Sequence, residues 1–248
     1  MSEVVRWSVR ECGIAVVAME DRESRNTFSP GLIAGLQQAF DAIARDPAAK
    51  VVVLHGYDNY FCCGGTKEEL VAIHEGTMRF SDEPFYDLPL RCELPVIAAM
   101  QGHALGGGLV LGCYADMMVL AEESMYGAVF MKYGFTPGMG GTYIVPERFG
   151  SLLGNELLFT ARNYFGRDLL ARGIPARVVR KAEVIAVALA LAEDLADKPR
   201  LALVELKRHL AERIRRDMPP IIRAELAMHE VTFGQSEVRD RIDRFFIK

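Results

Sequence analysis

Two short segments concentrate the chemistry available to this chain: Phe61-Cys62-Cys63-Gly64-Gly65-Thr66-Lys67 and Gly102-His103-Ala104-Leu105-Gly106-Gly107-Gly108. Each follows an apolar run that reads as a strand, and each leads into a segment with helical spacing. Glycine lets a ligand approach the backbone closely, and the first N–H groups of a helix are unpaired and aligned with its dipole. Two loops of this kind can aim two N–H donors at one oxygen, which is the physical requirement of an oxyanion hole. The same glycines can equally serve tight turns and close helix packing, and their spacing alone does not choose between the two.

Other glycine-loop chemistries lack their motifs. A G-x-G-x-x-G fingerprint starting at Gly106 needs glycine where Leu111 stands, and neither G-x-x-x-x-G-K-[ST] nor G-x-S-x-G occurs. The five cysteines are odd in number and contain no C-x-x-C spacing, so they read as reduced thiols with no structural zinc.

The elements that must position these loops follow from the hydrophobic pattern. Val4 to Arg10 and Ile14 to Met19, joined by Glu11-Cys12-Gly13, predict an opening hairpin. Ser29-Pro30 starts an amphipathic helix with Leu32, Ile33, Leu36, Phe40 and Ile43 on one face, ending near Asp46-Pro47. Val51 to Leu54 is continuously apolar, the mark of a strand covered on both faces. A strand, loop and helix unit then recurs from Pro95 and from Met117, which argues for an α/β architecture with crossover connections. From Gly150 onward the pattern is mostly helical. Ala182 to Asp197, Pro199 to about Asp217 and Pro220 to about Phe233 are expected as three helices, with prolines marking two starts. The expected organisation is a β-rich core over residues 1–198 followed by a helical region over residues 199–248.

Composition narrows the function classes. Half the residues are hydrophobic and a quarter charged, a mixture that folds without disulfide staples at this length. A net charge of −4 removes the electrostatic footprint of a general nucleic-acid binder. No apolar run approaches the roughly 18 residues of a membrane span, and the first residues lack the apolar core of a signal peptide. A soluble, cytoplasmic protein acting on a small molecule or another protein is expected, with neither nucleic acid nor membrane as partner.

The run Pro95 to Gly108, the Phe61-x-x-Gly64 loop and the turn Thr136 to Thr142 together resemble the crotonase (enoyl-CoA hydratase/isomerase) superfamily, in register over nearly the whole chain. The resemblance implies a spiral of ββα units with a C-terminal helical region, assembled as a homotrimer or hexamer. It places the oxyanion hole on the N–H groups of Gly65 and Gly107. Hydratases of the family use two glutamates, and the corresponding positions here hold Val110 and Phe130. Neither residue can transfer a proton, so addition of water to an enoyl thioester is not expected.

A closer resemblance is carried by Gly56 to Phe61, Met100 to His103 and Phe130 to Gly138. It is to the decarboxylating homologues of polyketide β-branching cassettes, which remove CO2 from a 3-methylglutaconyl group held on an acyl carrier protein. This implies a carbon–carbon lyase without a cofactor, an acyl carrier protein as partner, and a lysine and a histidine that handle the carboxylate. The histidine falls on His229, which shares helical spacing with Ile222, Leu226 and Phe233. The place of the lysine falls on Arg79, with Lys67 nearer the first loop. Arginine binds a carboxylate bidentately but does not give up its proton. His229, a water or Tyr86 therefore remain candidates for reprotonating the product carbon. Arg22 and Arg25 are candidate contacts for the phosphopantetheine phosphate, and Phe130 for the acyl group. Lys207-Arg208, Arg213, Arg215-Arg216 and Arg223 either dock an acidic carrier or form an ordinary charged helix face. His103 is expected to be structural. An enoyl isomerase or dehydratase with His229 as base, and a non-catalytic carrier-binding homologue, are the alternative readings.

Overall fold

The computed structural model describes residues 4–78 and 85–246, so Arg79 lies outside the described residues. Strands β1 (Val5–Val9) and β2 (Ile14–Met19) form the expected antiparallel hairpin, with Val5 opposite Met19. Helix α1 (Pro30–Arg45) follows, with Pro30 in its first turn and Ser29 Oγ accepting from the Leu32 N–H at 3.1 Å. A cap of this type contributes about 1 kcal/mol. The stripe Leu32, Ile33, Leu36, Phe40 and Ile43 is buried, as the spacing predicts.

The chain then traces one path three times. The first unit is β3 (Val51–His55), β4 (Tyr60–Cys62) and α2 (Lys67–His74), followed by the short helix α3 (Leu88–Arg91). The second is β5 (Val96–Met100), β6 (His103–Leu105) and α4 (Gly107–Cys113), and the third is β7 (Met117–Ala121), β8 (Met125–Gly127) and a 3-10 turn over Val129–Tyr133. Helices α5 (Gly141–Phe149) and α6 (Ser151–Thr160), strand β9 (Tyr164–Phe165), helix α7 (Gly166–Ala171) and strand β10 (Arg177–Val179) come next. Helices α8 (Val184–Ala196), α9 (Arg200–Thr232) and α10 (Ser236–Phe245) complete the described chain. The first strand of each unit enters a six-stranded sheet ordered β1-β2-β3-β5-β7-β10, and the second enters a four-stranded sheet ordered β4-β6-β8-β9.

Strand alternation explains why the large-sheet strands are apolar throughout. Val52, Leu54, Ala98 and Met100 point into the main core, whereas Val51, Val53, Ile97 and Ala99 point to the opposite face. Val184, Ala188, Ala192 and Ala196 of α8 cover that second face. Their four-residue spacing puts them on one side of the helix, where small side chains permit close approach. The Tyr126 hydroxyl joins the two sheets: it donates to the Met100 carbonyl and accepts from the Ala121 N–H, both at 2.7 Å.

Asn26 performs a similar task nearer the first glycine loop. It is fully buried with φ +52°, a left-handed conformation that asparagine tolerates better than most residues. Its Nδ2 donates to the carbonyls of Met19 and Phe61, both at 2.9 Å, and its Oδ1 accepts from the Asp21 N–H at 2.7 Å. Its own carbonyl accepts from the Cys63 N–H at 3.2 Å. One residue thus ties the end of β2 to β4 and to the loop that follows.

The C-terminal region departs from expectation. Two helices were expected, with Pro220 opening the second, but α9 is a single helix of 33 residues that contains both Pro219 and Pro220. An interior proline costs a helix about 3 kcal/mol, because it lacks the N–H and crowds the preceding turn. Here the helix is fastened on both sides of the pair. Before it, buried Lys207 donates to the carbonyls of Pro89 and Leu94 and pairs with Asp116 at 2.7 Å, and Met218 is buried. After it, Glu225 and His229 are buried against the core. Among the described residues, no helix is long and apolar enough to cross a membrane.

Replacing Asn26 with alanine is expected to lower the unfolding free energy by about 3 kcal/mol, since it strands several buried polar groups at ~1 kcal/mol or more each. Urea titration should show a lower midpoint with an unchanged slope; an unchanged midpoint would exclude this account of Asn26.

Candidate active site

The two glycine loops meet backbone to backbone. A Cβ on Gly108 would lie 2.0 Å from the Cys62 carbonyl oxygen, so only glycine fits there. Gly64 has φ +80°, and a Cβ on it would sit 2.9 Å from the Leu105 oxygen and 3.0 Å from the Gly107 nitrogen. The Gly64 carbonyl accepts from the Phe28 N–H at 2.8 Å, so the Gly65 N–H, on the other side of the same trans peptide unit, faces the opposite way. Behind it, Thr66 caps α2 by a reciprocal pair: Oγ1 accepts from the Glu69 N–H, and the Thr66 N–H donates to the Glu69 carboxylate. Gly107 is the first residue of α4. Among the described residues neither the Gly65 nor the Gly107 N–H donates to a protein acceptor, and both residues line one cavity of about 670 Å³.

Apolar side chains form much of the cavity wall. Phe28, Phe85, Phe130, Phe135 and Met139 all line it, and Phe28 meets Phe85 edge to face at 4.6 Å between centroids. Tyr86 also lines it while only 5% exposed, and burial pushes its hydroxyl up to about 12. That phenol is protonated at neutral pH. His103 lines the cavity too, with Nδ1 accepting from the Met125 N–H at 3.0 Å, which places its own proton on Nε2. Burial, and then the charge of Lys181, lowers its pKa and keeps the ring neutral.

The sequence-derived candidates separate in space. Gly65, Gly107, Lys67, Arg25, Tyr86 and Phe130 all line the cavity. Lys67 is engaged at its rim by Asp243 of α10, at 2.7 Å. Arg22 does not line the cavity; its guanidinium pairs with Asp58 at 2.8 Å and stacks on Tyr57. The expectation that it meets the phosphopantetheine is therefore not supported by its position, because a short salt bridge draws the side chain elsewhere. Beside Tyr86, Phe85, Leu88 and Leu90 are also buried. The basic stretch on α9 largely serves internal contacts, with Lys207 buried, Arg213 on Glu147 and Tyr143, and Arg215 on the Leu90 carbonyl.

His229 is buried, one side chain behind the lining. Its ring meets Phe135 edge to face at 6.3 Å, and its Nε2–H donates to the Thr136 carbonyl at 2.8 Å. Burial lowers its pKa, partly opposed by the backbone carbonyls of Thr136 and Pro137. Sequence reasoning missed two residues that share its face of α9. Glu225 accepts from the N–H groups of Gly140 and Thr142, and Thr232 Oγ1 lies 3.2 Å from Thr136 Oγ1. The spacing 225, 229, 232 is one helical stripe, a signal that was present but is masked by the charged residues between. Also missed is α10, whose Phe245 lines the cavity together with the following Phe246 while Arg239 pairs with both Glu75 and Asp243.

Strand–strand–helix units wound in a spiral, with two glycine loops presenting N–H donors to one buried cavity, define the crotonase architecture. The model of the enoyl-CoA hydratase/isomerase family matches residues 10–248, and the chain belongs to that family. It is 51% identical over 232 residues to bacillaene synthase decarboxylase PksI of Bacillus subtilis (strain 168), covering 94% of this chain and 93% of that protein. It is 31% identical over 192 residues to the mitochondrial methylglutaconyl-CoA hydratase of Rattus norvegicus, covering 74% of this chain and 60% of that one. Among solved structures, one from a dehydratase/decarboxylase enzyme couple involved in polyketide beta-branching superposes with TM-score 0.97 at 49% identity, over 99% of this chain and 100% of its own. The ECH2 decarboxylase domain of CurF from Lyngbya majuscula superposes with TM-score 0.94 at 44% identity, over 97% and 98%.

Burial raises the Cys63 thiol to about 11, and Cys63 lines the cavity, whereas Cys12 is exposed. Alkylation followed by peptide mass spectrometry is expected to label Cys12 first. Labelling of Cys63 should rise about tenfold per pH unit between pH 7 and 10, as its thiolate fraction does, and rapid labelling of Cys63 at pH 7 would contradict the assignment.

Proposed function

We propose that the protein decarboxylates a 3-methylglutaconyl thioester carried on an acyl carrier protein, giving a 3-methylcrotonyl-type thioester. One observation carries the reading. The paired N–H donors are intact, while the two positions at which hydratases hold glutamate are a fully buried Val110 and the cavity-lining Phe130. Such a site activates a thioester but lacks those proton-transferring carboxylates. The relatives named as decarboxylases, at 51% and 44% identity, support the same reading.

The chemistry follows from where charge moves. As the carbon–carboxylate bond breaks, its electron pair flows through the conjugated system onto the thioester oxygen, and the carboxylate leaves as neutral CO2. Gly65 and Gly107 are assigned to that oxygen, where one such donor is worth roughly 10²–10³ in rate. A carboxylate confined among Phe28, Phe85, Phe130 and Met139 is poorly solvated. Its discharge as CO2 relieves this, so the apolar wall favours the transition state over the bound ground state. Tyr86 is assigned the proton that the dienolate carbon takes up, because it lines the cavity and its hydroxyl is protonated at neutral pH. Arg79 and His229 are assigned to the carboxylate end on the strength of the resemblance, His229 acting through Phe135 and the Thr136 backbone that it holds. Lys67 and Arg25, at the cavity rim, are assigned to the pantetheine arm.

No cofactor enters this scheme, since the thioester itself is the electron sink. Residues 1–198 would carry the oxyanion loops and residues 199–248 would complete the cavity walls. A homotrimer is the proposed assembly, supported by the family resemblance and by the exposed Leu152 and Phe159 on α6.

Mass spectrometry of acyl carrier protein loaded with 3-methylglutaconate tests the proposal. Incubation with the enzyme should remove about 44 Da, the mass of CO2, and Tyr86→Phe should slow this by roughly 10²-fold or more. Gly64→Ala should slow it by roughly 10²–10³, by forcing the two loops apart. His229→Ala should also slow it; an unchanged rate would leave that residue as packing alone. A shifted double bond or an added water without mass loss would move the assignment to isomerase or hydratase chemistry, and binding without turnover would make the protein a carrier-binding homologue.

A further inference from the structure

Glu225 is 1% exposed, and the reaction scheme gives it nothing to do. Among the described residues no lysine, arginine or histidine pairs with it. Instead three donors converge on its carboxylate: the Gly140 N–H at 2.6 Å, the Thr142 N–H at 2.8 Å and the Thr142 hydroxyl at 2.5 Å. Burial pushes its pKa up. A buried carboxylate without a counter-ion is costly, and its worth must lie in the geometry that it enforces.

That geometry is the turn before α5. Met139 has φ +63° and Gly140 φ +74°, two successive left-handed residues, the first of which carries a side chain. A residue such as methionine keeps that conformation only where its surroundings hold it. Two groups hold it here. The Tyr114 hydroxyl donates to the Met139 carbonyl at 2.6 Å, and Glu225 takes the N–H on the other side of the same peptide unit. The consequence is felt in the cavity. Met139 Sδ lies 2.8 Å from where a Cβ on Gly107 would stand, so the thioether packs directly on the backbone that carries one oxyanion donor. Met139 is 5% exposed and forms part of the acyl wall.

We infer that Glu225 is a positioning residue for substrate selection: with Tyr114 it holds Met139 in a left-handed conformation that presses its side chain onto Gly107, and so sets the width of the chamber beside the thioester. The inference rests on the proposed reading for the identity of the acyl group. On this inference the chamber favours a methyl branch over a larger one.

Binding separates this from a merely structural role, and from the fate of the decarboxylase reading. Pantetheine amides of 3-methylglutarate and 3-ethylglutarate cannot be turned over, and calorimetry gives the ratio of their affinities within one folded sample. The wild type is expected to prefer the methyl compound by about tenfold, the ordinary worth of one methylene in a fitted pocket. Glu225→Gln, which offers an N–H₂ where a carboxylate oxygen accepted, should bring the ratio close to one. Tyr114→Phe frees the same peptide unit from its other side and should do likewise, which covers the case of a Glu225 variant that does not fold. A variant that weakens both compounds equally, or leaves the ratio as in the wild type, overturns the inference. If the wild type binds with the expected preference yet releases no CO2 from the loaded carrier, the decarboxylase reading fails while this one stands.

Discussion

The contact between the Gly108 backbone and the Cys62 carbonyl is the constraint around which the molecule is organised. It brings two helix-start loops from successive units to van der Waals distance, and no side chain can intervene. Every larger feature can be read as a means of holding that approach. Parallel pairing of β3 with β5 and of β4 with β6 sets the two units side by side. Asn26 pins the first loop to the end of β2, and Tyr126 pins the second unit to the third. The reward is electrostatic: two N–H groups without protein acceptors, held rigidly in an apolar surrounding, need no reorganisation when charge develops on a bound oxygen.

Around that point burial favours the uncharged form of the titratable groups. Burial raises the hydroxyls of Tyr86 and Tyr114 and the thiols of Cys62 and Cys63, and lowers His103 and His229. The raised Glu225 follows the same tendency, against which its three donors work. At the rim the pairs Lys67–Asp243 and Arg239–Glu75 fasten α10 over α2. Such exposed pairs are individually worth little and weaken with salt, so the fully buried Val238 and Ile242 contribute most to the attachment of α10.

Much of this was legible in the residues. Apolar continuity in Val51 to Leu54 announced a strand with two covered faces, and Ser29-Pro30 announced the start of α1 to the residue. The glycine loops announced a close approach of backbone to backbone, because their residue types are dictated by geometry that nothing else satisfies. The failures have a common physical origin. Pro219-Pro220 reads locally as a helix boundary, and only distant anchors such as Lys207 to Asp116 make a continuous α9 the lower-energy choice. Arg22 reads as an available cation until Asp58 is brought beside it. Glu225 and Asn26 carry no local signature at all, since their roles exist only once residues 83 and 35 positions away have been placed beside them.

The placement of α9 has a consequence for how the protein is made. Its first half is fastened to the segment around Pro89 to Asp116, and its second half braces the turn from Thr136 to Thr142. A nascent chain emerges N-terminus first, so the strands and both glycine loops leave the ribosome before the brace for that turn exists. Met139 and Phe135 can take their final places only after Glu225 and His229 have cleared the exit. The enclosed chamber therefore forms late, and a polypeptide terminated before Glu225 would possess both glycine loops yet lack the brace that completes the cavity wall beside them.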